Sequence, residues 1–164
     1  MVRAIKESDY KQISDIYNYY IKNTQITFEE ELVSESIMMK RGQEITKNYP
    51  WVVFEKDGKV LGYAYASRWK SRKAYDFSVE TSIYVDIACG GQGIGTSLYI
   101  KLLEELKKIE VNAVIGGVAL PNESSVKLHQ KLGFTKVAEF PAVGCKFGQW
   151  LNVGYWQLNL MSVK

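Results

Sequence analysis

The stretch Ser78-Val79-Glu80-Thr81-Ser82-Ile83-Tyr84-Val85-Asp86-Ile87-Ala88-Cys89-Gly90-Gly91-Gln92-Gly93-Ile94-Gly95-Thr96-Ser97-Leu98 decides the fold. In its first part Val79, Thr81, Ile83 and Val85 alternate with Glu80, Ser82 and Tyr84, the period of a strand. Four glycines follow between Gly90 and Gly95, and then the period changes. Leu98, Leu102, Leu103 and Leu106 form the apolar stripe of a helix, with Lys101, Glu104, Glu105, Lys107 and Lys108 on its wet side. A strand that runs through a glycine-rich turn into a helix is an anion-binding device. Glycines let backbone N–H groups turn inward, and the helix N-terminus adds about half a positive charge. A flexible loop without a ligand is the plainer reading of a glycine cluster; the place between a strand and a long amphipathic helix counts against it. A Walker A loop needs a lysine after its last glycine, whereas Gly95 is followed by Thr96 and Ser97. The dinucleotide fingerprint also fails, because Gly95 comes one position too early after Gly91 and Gly93.

On the N-terminal side, Val2-Arg3-Ala4-Ile5 reads as a short strand. Ser8 is the expected N-cap of a helix with Ile13, Ile16, Tyr17, Tyr20 and Ile21 on one face. A second helix is expected from Ser34 to Lys47, stopped by Asn48-Tyr49-Pro50. Trp51 to Glu55 is an apolar strand, Asp57-Gly58 a hairpin turn, and Lys59 to Trp69 the returning strand. On the C-terminal side, Ala113 to Leu120 is a near-continuous apolar run, expected at the centre of the sheet. Asn122 to Leu132 is a short helix capped by Gly133, and two strands finish the chain, the second over Val153 to Leu160. This order predicts a single α+β, or mixed α/β, domain spanning 1–164.

Composition narrows the function. The chain has 164 residues, of which 46% are hydrophobic and 24% charged, so it can build an ordinary core without staples. A net charge of +3 is too weak to argue for nucleic acid. With one histidine, His129, and two cysteines, Cys89 and Cys145, the chain falls short of the usual zinc ligand sets, so no metal is expected. The cysteines are expected to be reduced thiols. No apolar run is long enough for a membrane span, and the start of the chain does not read as a signal peptide. A cytoplasmic setting follows as the expectation.

Gly93-x-Gly95 followed by an amphipathic helix resembles the pyrophosphate loop of the GNAT superfamily of acyl-CoA N-acyltransferases, whose pattern is Gln/Arg-x-x-Gly-x-Gly/Ala. Gly90 stands here at the Gln/Arg position. Asn122-Glu123-Ser124-Ser125, then Leu128-His129-x-Lys131-x-Gly133-Phe134, is similar to the later GNAT motif in which an Asn and a Ser flank the pantetheine arm. More specific are Ala66 to Tyr75, Val79 to Val85, Gly144-Cys145-Lys146-Phe147-Gly148-Gln149-Trp150, and Val153 to Gln157. Together these resemble the phosphinothricin and methionine sulfone/sulfoximine acetyltransferase branch, over Val2 to Leu160. The resemblance implies a central, mostly antiparallel twisted sheet of about seven strands flanked by about four helices. It implies acetyl-CoA as co-substrate and a small-molecule amine as acceptor, acetylated by direct attack in a ternary complex.

The resemblance also distributes roles. Glu80 is the expected base that frees the acceptor amine. On the residues alone a solvated strand carboxylate, or an ion-pair partner of Arg72 or Lys70, is the better reading, and it is the resemblance that turns the choice. His129 stands where many relatives place a tyrosine that protonates the departing thiolate; Tyr84 and Tyr75 are alternative donors, and a packed helix histidine is the bland reading. Backbone groups of Ile83, Tyr84 and Val85, the loop Gly90, Gly91, Gln92, Gly93, Gly95 and Thr96, and Asn122 and Ser125 are expected to hold acetyl-CoA. Phe28, Lys70, Arg72 and Tyr75 are the expected acceptor site, the two cations suiting an anionic substrate; a solvated basic loop is the alternative. Lys146 and Trp150 either close the acceptor site or line a dimer contact. Cys89 reads as a small apolar filler and not as a nucleophile. The family also implies a homodimer, with Phe147, Trp150, Tyr155 and Trp156 as interface material. A different amine as acceptor, such as a polyamine or a protein N-terminus, and a non-catalytic acyl-CoA sensor are the competing readings.

Overall fold

The computed structural model describes residues 1–161. In chain order these form β1 (Val2–Ala4), α1 (Tyr10–Asn23), α2 (Glu35–Thr46), β2 (Trp51–Lys56), β3 (Lys59–Arg68), β4 (Ser78–Val85), α3 (Ile94–Lys108), β5 (Ala113–Ala119), α4 (Glu123–Lys131), β6 (Thr135–Lys146) and β7 (Gln149–Asn159). One seven-stranded sheet runs in the order β1-β2-β3-β4-β5-β7-β6. Only β4 and β5 are parallel; every other pair is antiparallel. The architecture is the mixed α/β arrangement expected from the sequence.

Local chemistry explains the joints. The Ser34 hydroxyl accepts from the Ile37 N–H at 3.2 Å and starts α2. Asp57 and Gly58 take positive φ angles of 52° and 76°, as the tight β2–β3 hairpin requires. Gly133 ends α4 at φ 87°. Ser8 is not the cap of α1: it lies in a 3-10 turn, Glu7–Asp9. Asp9 takes over this corner, accepting from the Lys6 N–H at 2.7 Å and from the Arg3 guanidinium at 2.7 and 2.9 Å. The last strand starts at Gln149 and not at Val153. The β6–β7 hairpin continues to an exposed tip, with Trp150 71% accessible, and the few buried positions near it, Gly144, Lys146 and Leu151, do not make an apolar alternation that could be read.

Helices cover both faces. On one, Leu98, Leu102 and Leu106 of α3 are fully buried against Val79, Val114, Val118 and Trp156; truncating any of these leucines to Ala costs about 2–5 kcal/mol. On the other, Ile13 and Ile21 of α1 join Trp51, Val53 and Tyr63. The alternation of β4 therefore sends Val79 and Thr81 toward α3, and Glu80, Ser82 and Tyr84 toward α1.

The feature that positions the site is an interruption between β4 and β5. Their pairing covers only Ser78↔Ala113 to Thr81↔Gly116. Beyond Thr81, β4 stays paired with β3 as far as Val85, while β5 follows β7. The two strands diverge and leave an opening through the sheet.

Candidate functional site

A cavity of about 920 Å³ occupies this opening and reaches both faces of the sheet, within the usual size for small-molecule sites. The α3 side is lined by Gly90, Gly91, Gly93, Gly95 and Thr96, by Asn122, the N-cap of α4, and by Ser125, Lys127 and Lys131 of α4. The α1 side carries Glu80, Phe28, Val143 and Tyr155.

The loop is shaped by backbone conformation. Gly91 and Gly93 take φ angles of 75° and 76°, and Gly93 precedes the first turn of α3. Side chains at these positions would be strained although the space around them is open. Gly90 differs, with φ −61° and ψ 149°, and a Cβ there would lie 4.0 Å from its nearest neighbour, the Ile87 carbonyl oxygen. Gln92 does not line the cavity.

At the opening, the Asp86 N–H donates to the Leu61 carbonyl at 2.8 Å and the Ser78 carbonyl accepts from the Trp69 N–H at 3.4 Å. Even-numbered residues of β4 thus turn their backbone groups to β3, and Ile83 and Val85 turn theirs into the gap. Of the three residues expected to offer backbone contacts, Tyr84 is committed to β3. Tyr20 donates its hydroxyl to the Val85 carbonyl. At the near end of α4, the Asn122 side-chain oxygen accepts from the Ser125 N–H at 3.2 Å.

Glu80 is half-buried on the α1 face, and no hydrogen bond or ion pair engages it among the described residues. Burial pushes its carboxyl above the ordinary value, opposed by the field of Lys70. A Cβ added at Gly117 would lie 3.3 Å from Glu80 Oε1 and 3.2 Å from the Tyr155 ring, so both side chains converge over that glycine.

His129 is placed differently from a free-standing acid. It is 2% exposed. Its Nδ1 lies 2.7 Å from the Ser125 carbonyl oxygen, which can only accept, so Nδ1 carries the proton. Nε2 then accepts from the Tyr99 hydroxyl at 2.9 Å, and Tyr99 in turn accepts from the Thr81 hydroxyl at 2.6 Å. Burial lowers the imidazole's pKa, opposed by the bond to Ser125, and favours this neutral form. Direct protonation of a departing thiolate has no free N–H here; the bland reading of the histidine describes its contacts better.

The acceptor residues divide. Phe28 lines the cavity, whereas Lys70, Arg72 and Tyr75 do not; all three are exposed on the β3–β4 connection. The nine-residue connection from Trp69 to Phe77 leaves that segment outside the sheet's packing, so its charges stay in water. Lys70 still reaches the rim, with Nζ 4.9 Å above the Trp69 ring, which meets Tyr155 edge-on at 5.9 Å. Tyr155 and Trp156 are not surface interface material: the first lines the cavity and the second is 2% exposed. Thr81, Tyr99 and Tyr155 are site residues the sequence reading missed. The Gly116-Gly117 pair was their signal, since glycines inside a strand mark close approach. A Cβ on Gly116 would strike His129, and one on Gly117 would crowd Tyr155 and Glu80. Among the described residues no group of three or more His, Cys, Asp or Glu is arranged to hold a metal, and no helix is long and apolar enough to cross a membrane.

The comparisons agree with this geometry. A family model described as an acetyltransferase (GNAT) domain matches residues 2–153. Phosphinothricin N-acetyltransferase of Streptomyces viridochromogenes is 36% identical over 156 residues, 95% of this chain and 85% of that protein. The L-methionine sulfoximine/L-methionine sulfone acetyltransferase of Salmonella typhimurium is 32% identical over 97% of this chain and 94% of its own length. A Salmonella typhimurium acetyltransferase solved with its cofactor acetyl-CoA superposes with a TM-score of 0.96 at 32% identity, covering 99% of this chain and 95% of that one. A phosphinothricin acetyltransferase from Sinorhizobium meliloti in complex with acetyl-CoA gives 0.94 at 36% identity, over 98% and 88%. Family model, relatives and folds coincide over nearly the whole length, and the chain belongs to the GNAT acetyltransferase family.

Proposed function

We propose that the chain acetylates the α-amine of a small amino acid or analogue, of the phosphinothricin or methionine sulfone/sulfoximine kind, by direct attack within a ternary complex with acetyl-CoA. The divergence of β4 from β5 carries this reading, because it joins an anion-binding loop on one face to a poised carboxylate on the other. Acetyl-CoA supplies the activated acyl group; the residues of the cavity fit it. The loop at Gly90, Gly91, Gly93, Gly95 and Thr96, with Lys127 and Lys131, offers backbone donors and cations suited to a pyrophosphate. The gap-facing backbone of Ile83 and Val85, with Asn122 and Ser125, suits an amide-bearing arm and a developing oxyanion.

Glu80 is the proposed base. Its raised pKa brings it closer to that of an efficient proton acceptor at neutral pH, and among the described residues no hydrogen bond or ion pair competes for it. His129 is a positioning residue in this reading: through Tyr99 and Thr81 it fastens α4 to the strand that carries Glu80. Phe28 and Tyr155 wall the acceptor, and Lys70 lends positive potential at the rim. A homodimer through the exposed Phe140, Val143, Phe147 and Trp150 of the β6–β7 hairpin, and a cytoplasmic setting, complete the proposal. Glu80→Gln tests its chemical centre. It is expected to bind acetyl-CoA like the wild type by calorimetry while losing thiol release; unchanged turnover removes Glu80 from the reaction.

A further inference from the structure

The segment between α1 and α2 brings Phe28 to the α1 side of the cavity without regular secondary structure of its own. The end of β6 grips it. Lys146 is 1% exposed, and its Nζ donates to the carbonyls of Ile21 at 2.8 Å and Thr27 at 2.7 Å. No carboxylate lies within ion-pair distance of it among the described residues; Glu30 and Glu29 act on it only through their fields. The Lys146 Nζ also sits 4.9 Å from the centre of the Phe147 ring. A buried ammonium held by two carbonyls and a ring face, with no carboxylate, is a costly arrangement for mere filling, which a methionine would do without desolvating a charge.

Two positions earlier, on the same face of β6, stands Gly144. A Cβ there would fall inside the van der Waals shell of the Phe28 ring. The strand therefore offers a vacancy to Phe28 and an ammonium to its neighbour Thr27. Opposite, Tyr17 shares a 2.8 Å hydrogen bond with Thr27 and donates to Glu29, whose carboxylate also takes the Arg41 fork at 2.9 and 2.6 Å. Thr27, Phe28 and Glu29 are each held; Tyr17 shares Thr27 with Lys146, while the β6 contacts reach both Thr27 and the Phe28 ring itself.

We infer that Lys146 and Gly144 are positioning residues that fix Phe28 as the wall of the acceptor end, and so set which amino-acid side chains the site admits. This rests on the acetyltransferase reading above. Lys146→Met frees the segment without removing side-chain volume, and Gly144→Ala displaces the ring directly. Both act through Phe28, so a Phe28→Ala background should silence them.

The test is steady-state kinetics on methionine sulfone and on a bulkier amino acid, with acetyl-CoA affinity measured by calorimetry. Lys146→Met is expected to raise the acceptor KM about tenfold, change kcat by about twofold at most and leave the acetyl-CoA Kd unchanged. Gly144→Ala is expected to shift the ratio of kcat/KM between the two acceptors. In the Phe28→Ala background both substitutions should lose these effects, an outcome that general loosening of the fold does not produce. Should Lys146→Met fail to fold, the Gly144→Ala cycle decides alone. Effects that multiply with Phe28→Ala, or that fall on acetyl-CoA affinity, overturn the inference while wild-type turnover stands. A wild type that acetylates no amine overturns the underlying reading and the inference with it.

Discussion

The Tyr99 hydroxyl lies 2.9 Å from His129 Nε2, with both residues buried, and this contact joins α3 to α4 in the wall of the cavity. The same phenol meets Thr81 at 2.6 Å, next in sequence to Glu80. Three elements that shape the site thus share one hydrogen-bond chain.

Removing the middle of that chain leaves the buried His129 Nε2 without a partner and Thr81 with only its long 3.4 Å bond to the Ile115 carbonyl. Tyr99→Phe is expected to cost about 1–3 kcal/mol, seen as a lower urea midpoint with an unchanged m-value. Unaltered stability would show that the chain contributes nothing to the fold.

The pH dependence of stability follows from His129. Its folded pKa is lowered by burial, so below about pH 6.5 the unfolded state binds a proton that the native state refuses. Stability is therefore fully present above that pH and is lost as pH falls toward the folded value. His129→Gln should flatten this slope between pH 7.5 and 5.5 in urea unfolding. Equal slopes in the two proteins would assign the loss to other groups.

Gly90 occupies an ordinary backbone conformation with room for a side chain, although the resembling families carry Gln or Arg there. Gly90→Arg is expected to fold normally and to tighten acetyl-CoA by about 0.5–1 kcal/mol, about two- to fivefold in Kd at low salt. The gain should fade as salt rises. A weaker Kd would mean that this loop does not face the pyrophosphate.

How much of this could be read from the chain depends on the range of the signal. The strand at Ser78–Val85, the glycine turn and the α3 stripe are local patterns, and each appears in the structure where its spacing placed it. The divergence of β4 and β5 is a relation between strands more than thirty residues apart, and no local period encodes it. His129 shows the same limit: its identity suggested proton chemistry, while its role depends on Tyr99 and Ser125, which only packing brings to it. Lys70 and Arg72 lie outside the cavity lining, with Lys70 near its rim, and here the sequence signal was silent for the opposite reason. A run of cations near a carboxylate in sequence says nothing of which side of the rim it lies on.

Glu80 should also shape the pH–rate profile. Its carboxyl must be ionised to accept a proton, and burial raises the pH at which that happens. The acidic limb of kcat/KM is expected above the ordinary carboxylate range, and Glu80→Gln should abolish it and lower kcat by about 10²–10⁴-fold. A limb that survives in Glu80→Gln belongs to another group.

The most direct test of the account is a thiol-release assay with acetyl-CoA against phosphinothricin, methionine sulfone, methionine sulfoximine, ordinary amino acids and spermidine. Turnover concentrated on the first three, and lost in Glu80→Gln, is the predicted result. Turnover on spermidine alone, or none on any amine while acetyl-CoA still binds, would contradict it.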